Sequence, residues 1–270
     1  MSAHGGRVVG RRWFLTQGGR GALGIAVLGV AACTGSAEPT GESTGTGSTP
    51  SDLTPTDPTA TGSTPSGSTS TQDADQMAWS RVNLGFVSAY VLVRDREAAV
   101  VDTGVGGSAD EIAAVLDKAG PGWAGVRHVV LTHKHPDHAG SLGDVLDAAT
   151  QATGYVGAED LAEVESPRRL TTLADGAEVF GLQVHATPGH TAGHLAIFDP
   201  DTGVLIAGDA LTNMNGLAGS NPQFTEDKAA AVASVRKLAQ LAPKTILVGH
   251  GEPLTDGASA ALTKLAESLT

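Results

Sequence analysis

Thr132-His133-Lys134-His135-Pro136-Asp137-His138-Ala139-Gly140 decides how this chain is read. It follows directly on the short apolar run Val126–Leu131, which has the length and β-branched content of a buried strand. In an extended segment residues i and i+2 project the same way, so His133 and His135 can grip one cation. Asp137 and His138, turning into a following helix, face a neighbouring one, which makes two metals geometrically reasonable. Four other polar groups also follow short apolar runs: Asp102-Thr103-Gly104, Gly189-His190-Thr191, Gly208-Asp209 and Gly249-His250-Gly251. Ligands of α/β sheets collect beyond the carboxyl ends of strands, so these groups converge on one rim. Asp137 and Asp209 brought together without a cation would repel one another, which again calls for a metal between them.

Outward from this motif, apolar runs alternate with helical patterns. Phe86–Val93 and Ala98–Val101 read as a hairpin through Arg94-Asp95-Arg96. Ser108–Ala119 reads as a helix with Ser108 as N-cap and Glu111 in the capping-box position. After the strand Val126–Leu131 come a helix from Ala139 to about Ala149, a weak strand near Thr153–Val156 and a short helix from Glu159. Strands follow at Val179–Ala186, Leu195–Phe198 and Val204–Ala207, the last two joined by the turn Asp199-Pro200-Asp201-Thr202-Gly203. A helix from about Glu226 to Leu241, a strand Thr245–Val248 and a helix near Gly257–Ser268 complete the pattern. Hairpins mixed with strand–helix alternation predict an α/β sandwich of mixed sheets rather than a purely parallel sheet. No glycine-rich nucleotide loop opens a helix.

In motif order and spacing the chain resembles the metallo-β-lactamase superfamily, over roughly residues 80 to 256. The resemblance rests on Asp102, on His133, His135, Asp137 and His138, on the Thr187-Pro188-Gly189-His190 turn, and on Asp209 and His250. It implies an αββα fold, two mixed β-sheets flanked by helices. His133, His135 and His190 would hold a first divalent metal, Asp137, His138 and His250 a second, and Asp209 would bridge them. Asp102 would be the buried acid supporting the ligand loop, and Asp137 would also act catalytically by orienting hydroxide and relaying a proton. Zinc suits this nitrogen and oxygen set, although iron or manganese occupy similar sites.

The implied chemistry is hydrolysis of an ester, lactone or thioester by a hydroxide bridging the two metals, with a small-molecule acyl substrate. Members that cleave β-lactams generally lack the bridging aspartate, and several place a cysteine on the second metal, so lactamase activity is not expected. Twenty residues follow His250, so a glutathione-gripping helical domain of the thioesterase kind is not expected. Thr212 stands where acyl-homoserine lactonases keep a tyrosine. Two other readings stay open: an iron-dependent dioxygenase of the same fold, and a non-catalytic metal-binding surface protein. His194 is assigned to substrate contact or to support of the ligands, with a structural role as the alternative. His128 and His185 read as structural, and Lys134 as a solvent-facing loop residue. Leu211–Phe224 either lines the substrate mouth or simply connects elements.

The N-terminal quarter reads differently. Residues 1–32 hold four arginines, no acid and an apolar run Gly21–Ala32, too short to span a bilayer and of signal-peptide character. Arg11-Arg12-Trp13-Phe14-Leu15 resembles a twin-arginine export motif, and Val30-Ala31-Ala32 before Cys33 resembles a lipobox. An ordinary signal peptide with an incidental cysteine is the alternative. Residues 33–76, rich in Ser, Thr, Gly and Pro, are expected to be a disordered tether, and 77–270 the hydrolase domain. The expectation is an exported protein, anchored to the outer face of the cytoplasmic membrane by lipid on Cys33. That single cysteine excludes an internal disulfide and a cysteine-rich zinc site. The net charge of −12 repels phosphate backbones, so no nucleic-acid partner is expected.

Overall fold

The computed structural model describes residues 77–270. The signal, tether and Cys33 assignments lie outside the described residues. The first sheet has six strands in the order β1 (Ala78–Asn83), β2 (Ser88–Arg94), β3 (Glu97–Val101), β4 (Val126–Val130), β5 (Thr153–Gly157) and β6 (Thr171–Leu173). β1 to β3 run antiparallel, and β3 to β6 are parallel. The connections between the parallel strands carry helices α1 (Ala109–Ala119), α2 (Gly122–Gly125), α3 (Pro136–Ala139) and α4 (Leu142–Ala148), then a 3-10 turn at Leu161–Glu163.

The second sheet orders five strands as β13 (Thr245–Val248), β10 (Val204–Gly208), β9 (Leu195–Asp199), β8 (Leu182–Ala186) and β7 (Glu178–Val179). Its single parallel pair is β10 with β13. A small ribbon of β11 (Leu211–Thr212) and β12 (Ala218–Gly219), with helices α5 (Lys228–Ala239) and α6 (Ala258–Ser268), completes the described chain.

Three apolar interfaces stack these elements into four layers. Alternate residues of β2 to β4 (Val91, Val100, Val129) face Ile112 and Leu116 of α1 and Leu142 and Leu146 of α4. Their neighbours in the pleat (Leu92, Ala99, Val101, Val130) face Val184, Leu195, Ile197 and Ile206 of the second sheet. The other side of that sheet (Ala196, Leu205, Ile246, Val248) packs on Val235 and Leu238 of α5 and Leu262 of α6. The fold is the αββα sandwich of mixed sheets. Burial of each large aliphatic side chain contributes about 1.5–3 kcal/mol, so the two central sheets hold the molecule together.

Several elements depart from expectation. The helix read from Ala139 to Ala149 is split into α3 and α4 at Gly140-Ser141. Gly140 presses so closely on the strand-end loop that a Cβ there would lie 2.6 Å from Gly106 N, and its N–H donates to the Gly104 carbonyl at 2.9 Å. That contact, and the Ser141 hydroxyl donating to Val105 O at 2.6 Å, anchor the break to the loop after β3. The run Val179–Ala186 is a hairpin: Phe180 (φ 56°) and Gly181 (φ 75°) form a two-residue turn between β7 and β8. Ser108 makes no side-chain cap to α1, and its N–H instead donates to Ser141 Oγ at 2.7 Å. The short helix from Glu159 is the 3-10 turn Leu161–Glu163, and α5 is capped by Asp227, which accepts from the N–H groups of Ala229 and Ala230. Strands β1 and β6 are additions at the sheet edges, where their ladders define them more than their composition does.

Candidate metal centre

Parallel pairing aims four strand ends at one place. Asp102 follows β3, Thr132 and His133 follow β4, Asp209 follows β10, and His250 lies two residues beyond β13. Asp102 leaves β3 with φ +62°, an uncommon conformation for a residue with a side chain. It turns its carboxylate, 2% exposed as a residue, under the histidine loop. There Oδ1 accepts from Thr132 N–H at 2.7 Å, and Oδ2 accepts from the Thr132 hydroxyl and from His138 Nδ1–H, each at 2.8 Å. Thr132 also ties the loop to the second sheet, because its carbonyl accepts from Leu195 N–H at 2.7 Å.

His135 is extended (φ −63°, ψ 145°), and Pro136 then starts α3, turning Asp137 and His138 toward the centre. His190 sits in a turn closed by Thr187 N–H to His194 O at 2.9 Å and held to the segment before α5 by Asp227 N–H to Gly189 O at 2.9 Å.

All seven residues read as ligands meet. Single ligand atoms of His133, His135 and His190 lie within 4.8 Å of one another, as do those of Asp137, His138 and His250. His133 Nε2 is 3.0 Å from His135 Nδ1, which is 2.9 Å from His190 Nε2. Asp209 lies between the groups: Oδ2 is 3.4 Å from His190 Nε2 and 3.2 Å from His250 Nε2, and Oδ1 is 3.3 Å from His138 Nε2. Asp137 Oδ2 is 3.3 Å from His250 Nε2.

For four of the histidines, Nε2 is aimed by a partner on the other ring nitrogen. His133 Nδ1 meets Thr132 Oγ1 at 3.0 Å, and since that hydroxyl is donated to Asp102, the ring nitrogen carries the proton. His138 Nδ1 meets Asp102, His190 Nδ1 meets Ser220 Oγ at 2.9 Å, and His250 Nδ1–H donates to the Phe86 carbonyl at 2.7 Å. Such partners fix the tautomer and leave Nε2 free to coordinate. Buried His194 supports Asp209: its Nδ1 bonds Thr187 Oγ1 at 2.8 Å, and Nε2 accepts the Asp209 N–H at 3.1 Å.

The charges point the same way. Burial holds His133 well below its ordinary value, His190 at about 4 and His194 at about 3, so these rings are neutral at physiological pH. For His138 burial opposes charge, but Asp102 and Asp209 outweigh it and raise the group well above normal. Hydrogen bonds to Asp137 and Asp209 push His250 up to about 10. Burial works against ionised Asp209, yet His138 and its neighbours hold it well below the carboxylate range, and Asp137 is lowered by the same balance, chiefly through His250.

Whether a cation fits is answered by two atoms. His138 Nε2 and Asp209 Oδ1 are buried, 3.3 Å apart, and neither makes a hydrogen bond. Buried polar atoms are rarely left unpaired, and once the His138 ring has given up its extra proton a lone pair on each is directed into one space, as a coordinated cation requires. Gly249 keeps that space open: a Cβ there would run into Asp209 Oδ1 and lie 2.6 Å from His138 Cε1. The donor set contains imidazole and carboxylate and no sulfur, which suits zinc, iron or manganese.

Some residues stand elsewhere. His128 is half-buried against Tyr155 and Phe180, and His185 packs on Phe198, both within strands away from the centre. Lys134 is not the solvent-facing residue expected: its side chain is 12% exposed and its ammonium pairs with Glu163 at 2.5 Å and Glu226 at 2.8 Å. Sequence reasoning passed over Thr132, Ser220 and the Phe86 carbonyl. Thr132 had adjacency to His133 as a signal, whereas Ser220, within the Leu211–Phe224 segment, had none.

The chain is similar to several known proteins. The profile of the Metallo-beta-lactamase superfamily matches residues 82–250. A Bacillus subtilis protein described as probable metallo-hydrolase YflN is 30% identical over 190 residues, covering 54% of this chain and 72% of its own. A hydroxyacylglutathione hydrolase of Dechloromonas aromatica is 32% identical over 58% of this chain, which spans 55% of that enzyme. Among solved structures, a metallo-beta-lactamase family protein of Thermus thermophilus, TTHA1429, superposes with a TM-score of 0.57 at 25% identity, over 71% of this chain and 78% of the other. TTHA1623, solved in a di-iron-bound form, gives 0.55 at 26% identity over 64% and 92% of the two chains. A profile covering well over half of the chain, on a sandwich whose strand ends assemble these ligands, places it in the family: the chain belongs to the metallo-beta-lactamase superfamily.

Proposed function

We propose that this protein is a binuclear metallohydrolase that cleaves an ester, lactone or thioester. The observation carrying this reading is the pair of three-ligand groups joined by Asp209, with unpartnered His138 Nε2 and Asp209 Oδ1 facing one another. His133, His135 and His190 on one side and Asp137, His138 and His250 on the other, with Asp209 between them, would hold two divalent cations, which would supply a water of lowered pKa and an electrophile for an acyl oxygen. The chain's own residues do the rest. The buried His133, His138 and Asp209 keep bulk water from the inner side of the centre. Half-buried Asp137, ionised and hydrogen-bonded toward His250, accepts the nucleophile's proton and passes it to the departing group.

The substrate's apolar part rests against exposed Phe86, Met214 and Phe224. Phe86 stacks over His250 with ring centroids 6.1 Å apart, Met214 follows the Asn213 bridge to Gly251, and Phe224 lies one residue before Thr225, the partner of Ser220. Relatives named hydroxyacylglutathione hydrolase support a thioester as one candidate. Presence of the bridging aspartate argues against a β-lactam.

The test is metal analysis of the purified chain together with a panel of activated esters, lactones, thioesters and a cephalosporin. Expected are two metals per chain and hydrolysis that a chelator abolishes and zinc restores. One iron with oxygen uptake and no hydrolysis would overturn the proposal in favour of a dioxygenase. We also propose export and lipid anchoring through Cys33, supported by the ordered arginine pair, apolar run and cysteine. Cys33→Ala should move the protein from the membrane to the soluble fraction, and unchanged fractionation would refute the anchor.

A further inference from the structure

Asp160 heads the 3-10 turn Leu161–Glu163, the place where a carboxylate commonly accepts from free helix N–H groups, yet it makes no such cap. It is fully buried, and its acceptors are directed elsewhere. Oδ2 accepts from Lys134 N–H at 3.1 Å and from the Thr191 hydroxyl at 2.6 Å, while Oδ1 accepts from Gly193 N–H at 2.8 Å. Lys134 lies between His133 and His135, and Thr191 follows His190. All three donors therefore belong to the two loops that carry the trihistidine group.

The approach is close and built for this purpose. A Cβ on Gly193 would lie 2.7 Å from Asp160 Cγ, and one on Gly157 would run into the Gly193 carbonyl. The neighbouring ammonium of Lys134 is engaged by Glu163 and Glu226, so directional donors rather than a counter-charge satisfy Asp160. A buried carboxylate held in this way adds little net attraction, but it fixes the positions of the groups that bind it.

We propose that Asp160 is a positioning residue for the trihistidine metal group: by holding Lys134, Thr191 and Gly193 together it sets the spacing of His133 and His135 from His190, and so the affinity of that group, without touching metal or substrate. This rests on the reading that those histidines hold a cation.

The test titrates Co²⁺ into metal-free full-length protein, following visible absorption and chelator competition, in wild type, Asp160→Asn and Thr191→Val. His135→Ala and His250→Ala assign the two binding steps. Affinity of the trihistidine step should fall about 10- to 100-fold in Asp160→Asn, the range typical of residues that orient ligands. Thr191→Val, which removes one donor and keeps the shape, should weaken the same step to a lesser degree. The step assigned to Asp137, His138 and His250 should stay at its wild-type affinity, and the cobalt spectrum should change in the trihistidine step alone. Wild-type affinities in both variants, or equal weakening of both steps, would overturn the proposal, since a merely structural residue loosens the whole centre. Should Asp160→Asn fail to fold, Thr191→Val decides by the same criteria. A wild-type chain that takes up no cobalt would overturn the metal reading itself, a distinguishable result.

Discussion

Asp102→Asn preserves shape and backbone and changes only hydrogen-bond polarity. At φ +62° an asparagine is as well tolerated as an aspartate, so no strain is added. The carboxylate now accepts from three donors: Thr132 N–H, the Thr132 hydroxyl and His138 Nδ1–H. An amide whose oxygen keeps the Thr132 N–H turns its NH₂ toward the other two. The hydroxyl can rotate, but His138 can be satisfied only by moving its proton to Nε2, the atom that faces Asp209 at 3.3 Å. Affinity of the metal group containing His138 should drop about 10- to 100-fold, which is about 1.4–2.7 kcal/mol.

The metal-free protein should lose about 1.5–3 kcal/mol, the worth of a hydrogen bond to a charged group. The sign of its pH dependence follows from His138. Although burial opposes its charge, Asp102 and Asp209 raise its pKa in the folded state. The resulting stability is fully present below the unfolded value of about 6.5 and is lost as pH rises through the folded value. The deficit of Asp102→Asn should therefore be larger at pH 6 than at pH 9. Chelator competition and thermal unfolding of the metal-free protein at the two pH values measure both effects. Wild-type affinity with unchanged stability, or a deficit that grows with pH, would refute the role given to Asp102.

Metal uptake should also release protons, because His250, pushed up to about 10, is charged in the metal-free protein at pH 8, and Asp102 and Asp209 raise His138 against the opposing effect of burial. Calorimetry in two buffers of different ionisation enthalpy should record proton release as the centre fills, with apparent affinity rising as pH rises; release near zero would contradict the assignment. Gly249→Ala places a methyl against Asp209 Oδ1 and His138 Cε1. Overpacking of this kind costs about 1–3 kcal/mol, and metal content should fall with the melting temperature; a fully metallated variant with wild-type melting would show that the space is not needed. Ser220→Ala removes the partner of His190 Nδ1 and should lower affinity of the trihistidine group about tenfold, read by the same chelator competition; an unchanged value would make Ser220 a bystander.

Much of the fold and most of the candidate ligand set were legible in the chain itself. His133, His135, Asp137 and His138 fall within one short segment, so spacing alone places them together. Asp102, His190, Asp209 and His250 could be recognised because each follows an apolar run, and buried strands announce themselves by hydrophobicity. What local pattern could not supply was contact between distant segments. β1 (AWSRVN) is half exposed and becomes a strand through its ladder with β2. The continuous helix suggested by Ala139–Ala149 is broken because Gly140 meets the loop after β3. Lys134 read as a solvent-facing loop residue until Glu163 and Glu226 closed around it, and no local pattern marked Asp160, whose partners lie in the histidine loop and the His190 turn.

The sequence by itself therefore determined the element types, the mixed-sheet class and which residues carry ligand chemistry, since these depend on side-chain type and short-range periodicity. Only the tertiary structure decided which ring nitrogen each histidine presents, that Thr132 and Ser220 bond the ring nitrogens of His133 and His190, and that Asp160 accepts from the loops carrying them. Those depend on hydrogen bonds whose partners lie up to 164 residues apart, as between His250 and Phe86, and such partners meet only once the apolar interfaces have packed the sheets together.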